Sequence, residues 1–287
     1  MKRIKIIALL FILLLTGCSL FKRDNMENIN IITTIYPLEY SISYLYGQSS
    51  TINSIYPDDI NVDEYELTDK QIKDNSEKDL FVYMGLTNDS DIAVNLINQN
   101  KNLKLIDATF GMEYKNDVSE LWLNPSNLLM ILQNIKNGLD EYIDNAYLKK
   151  EIDEQYKALK LDLSELDANF KKTIEHANKK TIYANSKSML FLEKYGLTVI
   201  VVDEEHEQYE KNLALLKEAI ENNKVTYFYQ LEDTILPKEV KTLVDNEKIK
   251  DIEFRNLKNI TDSERSNKDN YVSITEKNID NLKKEIY

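Results

Sequence analysis

The chain has 287 residues, of which 49 are acidic and 36 basic, giving a formal net charge of −13. This acidic balance argues against a nucleic-acid-binding protein, which would carry a basic stripe. Apolar residues make up 43% of the chain, which is typical of a globular protein, and the length allows one large domain or two lobes with separate cores.

The first eighteen residues have the pattern of a lipoprotein signal peptide. Three basic residues within the first five precede an unbroken apolar run at 6–15, which is shorter than the roughly twenty residues that a membrane-spanning helix needs. The run ends in Leu-Thr-Gly-Cys at 15–18, a lipobox, so residues 1–18 are predicted to be a signal peptide. We expect Cys18, the only cysteine, to carry the lipid that anchors the chain at the extracytoplasmic face of the cell membrane.

Residues 19–28 are polar and charged, and we interpret them as a tether. From 29 to 145, β-branched segments alternate with segments of helical periodicity. Strands are predicted at 29–36, 51–56, 80–84 and 103–106, and helices at 38–46, 68–75, 90–100 and 125–137. This alternation with short connections predicts an N-terminal α/β lobe built on a parallel sheet.

A single long helix is predicted at 146–177, because apolar residues recur there at helical spacing without Gly or Pro. At the standard rise per residue it would be about 45 Å long. A second α/β pattern follows at 178–287. Its strands are predicted at 181–184, 197–202, 225–231 and 249–254, and its helices at 187–195, 209–222, 237–246 and 270–286. The predicted fold class is therefore α/β, with two lobes, each a parallel sheet flanked by helices, joined by one long rigid helix.

The residue types that enzymes commonly use are scarce. The chain holds two histidines, His176 among lysines and His206 in an acidic run, and both are predicted to lie on the solvated surface. There is no HExxH, no Gly-x-Ser-x-Gly and no phosphate-binding Gly-rich loop. With Cys18 lipidated, nucleophilic catalysis lacks a thiol and a placed base. The sequence therefore predicts a protein that is not an enzyme.

Five segments carry a family resemblance. They are ITTIYPL at 32–38, DEYELT at 63–68, ELWLNP at 120–125, LEKYGL at 192–197, and 257–264 together with the Asn-Tyr that follows at 270. In their order and spacing they resemble the zinc and manganese substrate-binding lipoproteins of bacterial ABC importers, the ZnuA/TroA-like group. The resemblance implies two α/β lobes that grip a metal in the cleft between them. It also implies a monomer that delivers this metal to an ABC permease in the membrane.

The resemblance places the four family metal ligands on residues of other types. The three positions that usually hold imidazoles, with Glu at the third in some members, fall on Asp63, Glu120 and Asn185, and the last, usually acidic, falls on Lys258 or, with one gap, on Asn259. Gln230 and Glu232 lie where the family often has Glu near the site, and with Asn259 they are the candidate supporting residues. The metal site is therefore predicted to be altered or lost.

Three chemistries are compatible with this set. In the first, the Lys258 ammonium reaches the cleft between Asp63 and Glu120 as a built-in cation, because a buried carboxylate pair needs such a partner. In the second, Lys258 points away, and Asp63, Glu120 and Asn185 form an oxygen site with water. In the third, the cleft is wet and these residues are ordinary polar lining.

No cofactor follows with certainty from these alternatives. Oxygen ligands would favour Mn²⁺, Ca²⁺ or Mg²⁺ over Zn²⁺, so any divalent cation is expected to be one of the first three. The predicted function is the extracytoplasmic substrate-binding component of a metal ABC importer with an altered site. The alternative is a surface lipoprotein that reuses the scaffold for protein interaction without metal cargo.

Overall fold

The structure is a computed structural model that describes residues 24–287. The predicted signal peptide, the lipobox at Cys18 and the first part of the tether lie outside the described residues. Within the described part of the chain, no helix is long and apolar enough to cross a membrane.

The N-terminal lobe is built on four parallel strands in the order β2–β1–β3–β4. The strands are β1 (Ile29–Thr33), β2 (Ser50–Ser54), β3 (Leu80–Tyr83) and β4 (Lys104–Asp107). The two central strands, β1 and β3, are almost wholly buried, because helices cover both faces of a parallel sheet. Their unbroken β-branched and aromatic runs suit this position.

Five helices of the described residues belong to the same lobe. They are α1 (Tyr36–Tyr46), α2 (Asp69–Ser76), α3 (Asp89–Gln99), the short α4 (Glu120–Leu123) and α5 (Pro125–Tyr142). The first strand was predicted to continue to residue 36, but it ends at Thr33. The chain turns earlier because Pro37 lies in the first turn of α1, where its missing N–H costs nothing.

The long helix α6 (Ala146–Glu175) has 30 residues and links the two sheets. Its buried face packs against α1 and α5 on one side and against the C-terminal helix on the other. This shared face explains its regular apolar spacing. The buried residues of α6 are Leu148, Ile152, Leu159, Leu163, Leu166, Phe170, Thr173 and Ile174.

The C-terminal lobe repeats the first strand order, as β6–β5–β7–β8, with all pairs parallel. Its strands are β5 (Thr181–Ala184), β6 (Thr198–Val201), β7 (Tyr227–Leu231) and β8 (Lys250–Phe254). Its helices are a 3₁₀ helix (Lys187–Tyr195), α7 (Tyr209–Glu221), α8 (Lys238–Asp245), α9 (Asp262–Ser266) and α10 (Tyr271–Ile286). Two lobes on parallel sheets, joined by a long helix, confirm the predicted fold class.

The lobes meet around a buried tryptophan. The Trp122 indole N–H donates to the carbonyl of Asn256 at 2.7 Å, and the Tyr271 hydroxyl donates to the carbonyl of Trp122 at 2.6 Å. Tyr271 also stacks on Tyr40 of α1 at 5.9 Å between ring centroids. A Trp or Tyr that is buried with its polar atom bonded fixes the geometry around it. This contact therefore fixes how the loop after β8 approaches the N-terminal lobe.

Candidate binding crevice

Two of the four family ligand positions meet across the lobes. Asp63 lies in the loop between β2 and α2, and Lys258 lies in the loop after β8, where its ammonium forms an ion pair with the Asp63 carboxylate. The Lys258 side chain is 21% exposed and that of Asp63 is 63% exposed. The same ammonium lies 6.0 Å from the centroid of the Trp122 ring, within the range of a cation–π contact.

The backbone at Leu257 directs Lys258 towards the N-terminal lobe. Leu257 is buried and has φ of +62°, in the left-handed region that non-Gly residues seldom adopt. On either side of it, the Asn256 side-chain oxygen accepts from the Lys258 N–H at 2.7 Å, and the Lys258 carbonyl accepts from the Tyr36 N–H at 2.9 Å. The position of the ammonium is therefore set by a bonded turn.

Glu120 does not join this pair. Its buried carboxylate accepts the N–H groups of Lys115 and Asn116 at 3.1 and 3.0 Å and the Asn116 side-chain amide at 2.7 Å. These bonds close the loop before α4. Glu120 borders a separate pocket with Leu190 and Lys194 of the C-terminal lobe, and that pocket contains neither Asp63 nor Lys258.

Asn185 is also used locally. Its side-chain amide donates to the Thr234 hydroxyl at 2.8 Å and to the Ile235 carbonyl at 3.4 Å, and its oxygen accepts from the Leu231 N–H at 2.9 Å. These bonds fix the connection after β7 at the end of the second sheet. Both hydrogen-bonding groups of the amide are thus occupied.

Of the three candidate supporting residues, two hold the segment that carries Lys258. Asn259 donates to the carbonyls of Pro57 and Ile60 at 2.8 and 3.1 Å, on the opposite lobe. Glu232 accepts from the Asn256 N–H at 3.0 Å and forms an ion pair with Arg255. The third residue is placed differently: Gln230 donates to the carbonyl of Thr234 at 2.6 Å and braces the loop after β7.

Arg255 was not identified from the sequence, although it directly follows the last strand. Its guanidinium pairs with Glu232 and, at 2.7 Å, with Glu264. Burial lowers the pKa of Arg255, and the carboxylates of Glu264 and Asp59 act against this shift by stabilising the charged form. Arg255 also donates to the carbonyl of Asn259 at 3.2 Å. One largely buried cation therefore organises the loop that presents Lys258.

A cavity of about 870 Å³ lies beside the Lys258–Asp63 pair and belongs almost entirely to the N-terminal lobe. At its edge Asp89 is buried and accepts from the Thr34 hydroxyl at 2.5 Å and the Met84 N–H at 3.2 Å. Burial raises the pKa of Asp89, and these hydrogen bonds oppose the rise. Other residues that line the cavity include Tyr56, Tyr65, Asp91, Tyr114 and Trp122.

Within residues 24–287, no group of three or more His, Cys, Asp or Glu side chains is arranged to hold a metal ion.

The family model described as "Zinc-uptake complex component A periplasmic" matches residues 31–285. The chain belongs to the ZnuA family. Among curated relatives, the zinc-binding lipoprotein AdcA of Streptococcus pneumoniae R6 is 26% identical over 310 residues, which cover 99% of this chain and 61% of the relative. The zinc-binding protein AdcA of Streptococcus pyogenes serotype M3 is 21% identical, over 89% of this chain and 55% of that protein. The chain thus spans about three-fifths of the length of these relatives.

Solved structures of similar fold agree with the two-lobe architecture. The Zn(II)-bound ZnuA-like domain of Streptococcus pneumoniae AdcA aligns with a TM-score of 0.75 at 23% identity, over 90% of this chain and 99% of that domain. The metal-dependent lipoprotein YcdH of Bacillus subtilis aligns with a TM-score of 0.76 at 20% identity, with the same coverage. At this level of identity the likeness shows the fold.

The expected preference for Mn²⁺, Ca²⁺ or Mg²⁺ over Zn²⁺ is wrong. The matching family is a zinc-uptake component and the relatives are zinc-binding proteins, so manganese has no support. The preference depended on Asp63, Glu120 and Asn185 converging as an oxygen site. Glu120 and Asn185 are instead engaged in hydrogen bonds elsewhere.

Proposed function

We propose that this chain is the extracytoplasmic, lipid-anchored binding component of a zinc-uptake ABC importer, with an interlobe site that differs from the family's metal site. The transport role is supported by the family match over residues 31–285 and by the two-lobe fold with its linking helix. The family's description as part of an uptake complex supports a membrane permease as the partner and zinc as the class of cargo. The lipid predicted on Cys18 would hold the chain near that permease.

The Lys258–Asp63 ion pair is the observation that carries the altered-site proposal. A protonated lysine has three donors and no lone pair, so it cannot act as a metal ligand. Its charge also repels a divalent cation placed beside the same carboxylate. Zinc at this position must therefore displace Lys258 from Asp63. Coordination from all the family positions would further require the Glu120 carboxylate to move, because it borders a pocket that contains neither Asp63 nor Lys258.

Calorimetric titration with zinc tests this proposal on the exported chain purified in detergent. We expect a Kd weaker than about 1 μM for the unmodified chain, and roughly tenfold tighter binding for Lys258→Ala, because the repelling charge is gone. Lys277→Ala is the matched control, since it removes a lysine paired with Asp269 on the same lobe, away from the crevice. Submicromolar zinc binding by the unmodified chain that is lost in Asp63→Asn or Glu120→Ala would refute the altered site.

A second candidate function is a surface lipoprotein that uses the scaffold to bind a protein without metal cargo. It is favoured by one observation, the lack of a metal-holding group of acidic, His or Cys side chains in the described part of the chain. Zinc-limited growth of a bacterium whose own zinc-binding component is deleted discriminates the two functions. Restored growth on expression of this chain and its neighbouring permease supports transport, and unrestored growth with normal surface expression supports the second function.

A further inference from the structure

We infer that residues 256–265, here called the strap, hold the 57–63 loop of the N-terminal lobe against the C-terminal lobe without any cargo. The crevice between the lobes therefore stays closed on this side whether or not zinc is present. The inference does not depend on Lys258, because the strap makes several other contacts with the same loop. It concerns the conformation of the chain, and it stands or fails separately from zinc affinity.

Arg265 of α9 forms the largest of these contacts. Its guanidinium forms ion pairs with two carboxylates of the N-terminal lobe, Asp58 in the loop and Glu39 in α1. The contact to Asp58 uses two parallel N–H donors, one of them at 2.8 Å, and the contact to Glu39 uses two more at 2.8 and 3.3 Å. This fork geometry is the strong form of an ion pair. Hydrogen bonding to Asp58, with Glu39, raises the pKa of Arg265.

Neutral hydrogen bonds reinforce the same attachment. The Asn259 amide donates to the carbonyls of Pro57 and Ile60, and the Asp59 N–H donates to the Ile260 carbonyl at 3.2 Å. Asp59 has φ of +63°, a left-handed conformation that costs energy in a non-Gly residue and persists when its surroundings hold it. Four consecutive residues of the loop, 57–60, are thus bonded to the opposite lobe.

The strap is itself braced within the C-terminal lobe. Glu264 accepts from Arg255 and caps the start of α9 by accepting from the Thr261 N–H at 3.0 Å. The Arg255 guanidinium also holds the Asn259 carbonyl. Arg255 holds the strap in place within the C-terminal lobe. The contacts between the strap and the 57–63 loop therefore mainly limit the movement of the loop. Arg265, Asn259 and Asp59 therefore close the crevice edge with protein groups alone.

Hydrogen–deuterium exchange of the exported chain in detergent tests this inference. Peptides that cover 57–63 are expected to exchange at the same rate with saturating zinc and with a chelator. In Arg265→Ala they are expected to exchange at least about threefold faster, while peptides from α6 are unchanged. The control Lys277→Ala removes a partly exposed ion pair within the C-terminal lobe, to Asp269, and should leave residues 57–63 unaffected.

Two results would overturn the inference: faster exchange at 57–63 when the chelator is added to the unmodified chain, or unchanged exchange there in Arg265→Ala. If Arg265→Ala fails to fold, Asp58→Asn breaks the same contact from the other lobe and gives the same readout. Tight zinc binding with unchanged loop exchange would refute the altered site and leave the strap intact. Weak zinc binding together with faster exchange at 57–63 in the chelator would support the altered site and refute the inference about the strap.

Discussion

The two lobes repeat one strand order but differ at the edge that faces the crevice. In the C-terminal lobe, Asn185 fills the connection after β7 and Arg255 ties two carboxylates together after β8. In the N-terminal lobe, the connections after β2 and β3 surround a cavity of about 870 Å³. The C-terminal edge supports itself through its own side chains, whereas the 57–63 loop takes much of its support from the opposite lobe.

The largest loss in the free energy of unfolding is expected when the C-terminal edge loses Arg255. Arg255→Ala leaves Glu232 and Glu264 without their shared cation, with side chains only 12% and 15% exposed. Removing one partner of a buried ion cluster costs about 3–5 kcal/mol. We expect urea unfolding to show a loss of this size at pH 7. Replacing the residue and both carboxylates together by apolar or amide side chains should recover part of it, and a loss below about 1 kcal/mol for Arg255→Ala would contradict the comparison.

The fold could be predicted further from the sequence than the site could. Hydrophobic periodicity and the positions of Gly and Pro predicted the long helix and the eight strands found in residues 24–287, because burial dictates residue type along a parallel sheet. The helix predicted from residue 68 begins with Thr68 as its N-cap, in a full capping box with Gln71. The short helix α9 was missed, although Thr261 and Glu264 have the spacing of a capping box.

The site depends on side-chain direction, which pattern alone does not contain. The ELWLNP motif lies in a buried segment, but Glu120 turns back to the backbone of residues 115–116. Lys258 reaches Asp63 because Leu257 adopts a left-handed backbone, for which a leucine gives no signal. No sequence pattern signals the role of Arg255, because only the fold places Glu232 and Glu264 on either side of it.

Smaller effects, with opposite dependence on pH, are expected at two aspartates: Asp89 beside the cavity and Asp117 at the lobe junction. Burial raises the pKa of Asp89 beside the cavity. Ionised Asp89 therefore lowers the free energy of unfolding when the pH is above its raised pKa. This destabilisation disappears as the pH falls to the ordinary pKa of a carboxyl group. Asp89→Asn should stabilise the chain at pH 7 by up to about 1 kcal/mol, and the gain should shrink by pH 4. A stabilisation that grows on acidification would contradict this assignment.

At the lobe junction, Asp117 should behave in the opposite way. Burial acts to raise the pKa of Asp117, but hydrogen bonds from Ser119 and from Ser188 of the other lobe lower it overall. Its contribution is present above the ordinary carboxyl pKa and is lost as pH falls through the lowered value. Asp117→Ala should cost about 1–2 kcal/mol at pH 7 and less at pH 3, measured by urea unfolding. If the changes in the free energy of unfolding of Asp89→Asn and Asp117→Ala varied with pH in the same direction, the contrast between the cavity and the junction would be refuted.

The smallest expected effect on stability is at the residue with the largest proposed effect on zinc. The Lys258 ammonium pairs with an Asp63 side chain that is mostly exposed to solvent, and such pairs contribute up to about 1 kcal/mol. Lys258→Ala should therefore lower the free energy of unfolding by less than about 1 kcal/mol, whereas it tightens zinc binding. Lys258→Arg, which keeps the charge, should change neither. Unfolding that is several kcal/mol easier in Lys258→Ala would instead mean that this lysine has a structural role as large as that of Arg255. In that case the 57–63 loop would depend on the Lys258 ammonium, whose charge could not be removed without opening the loop.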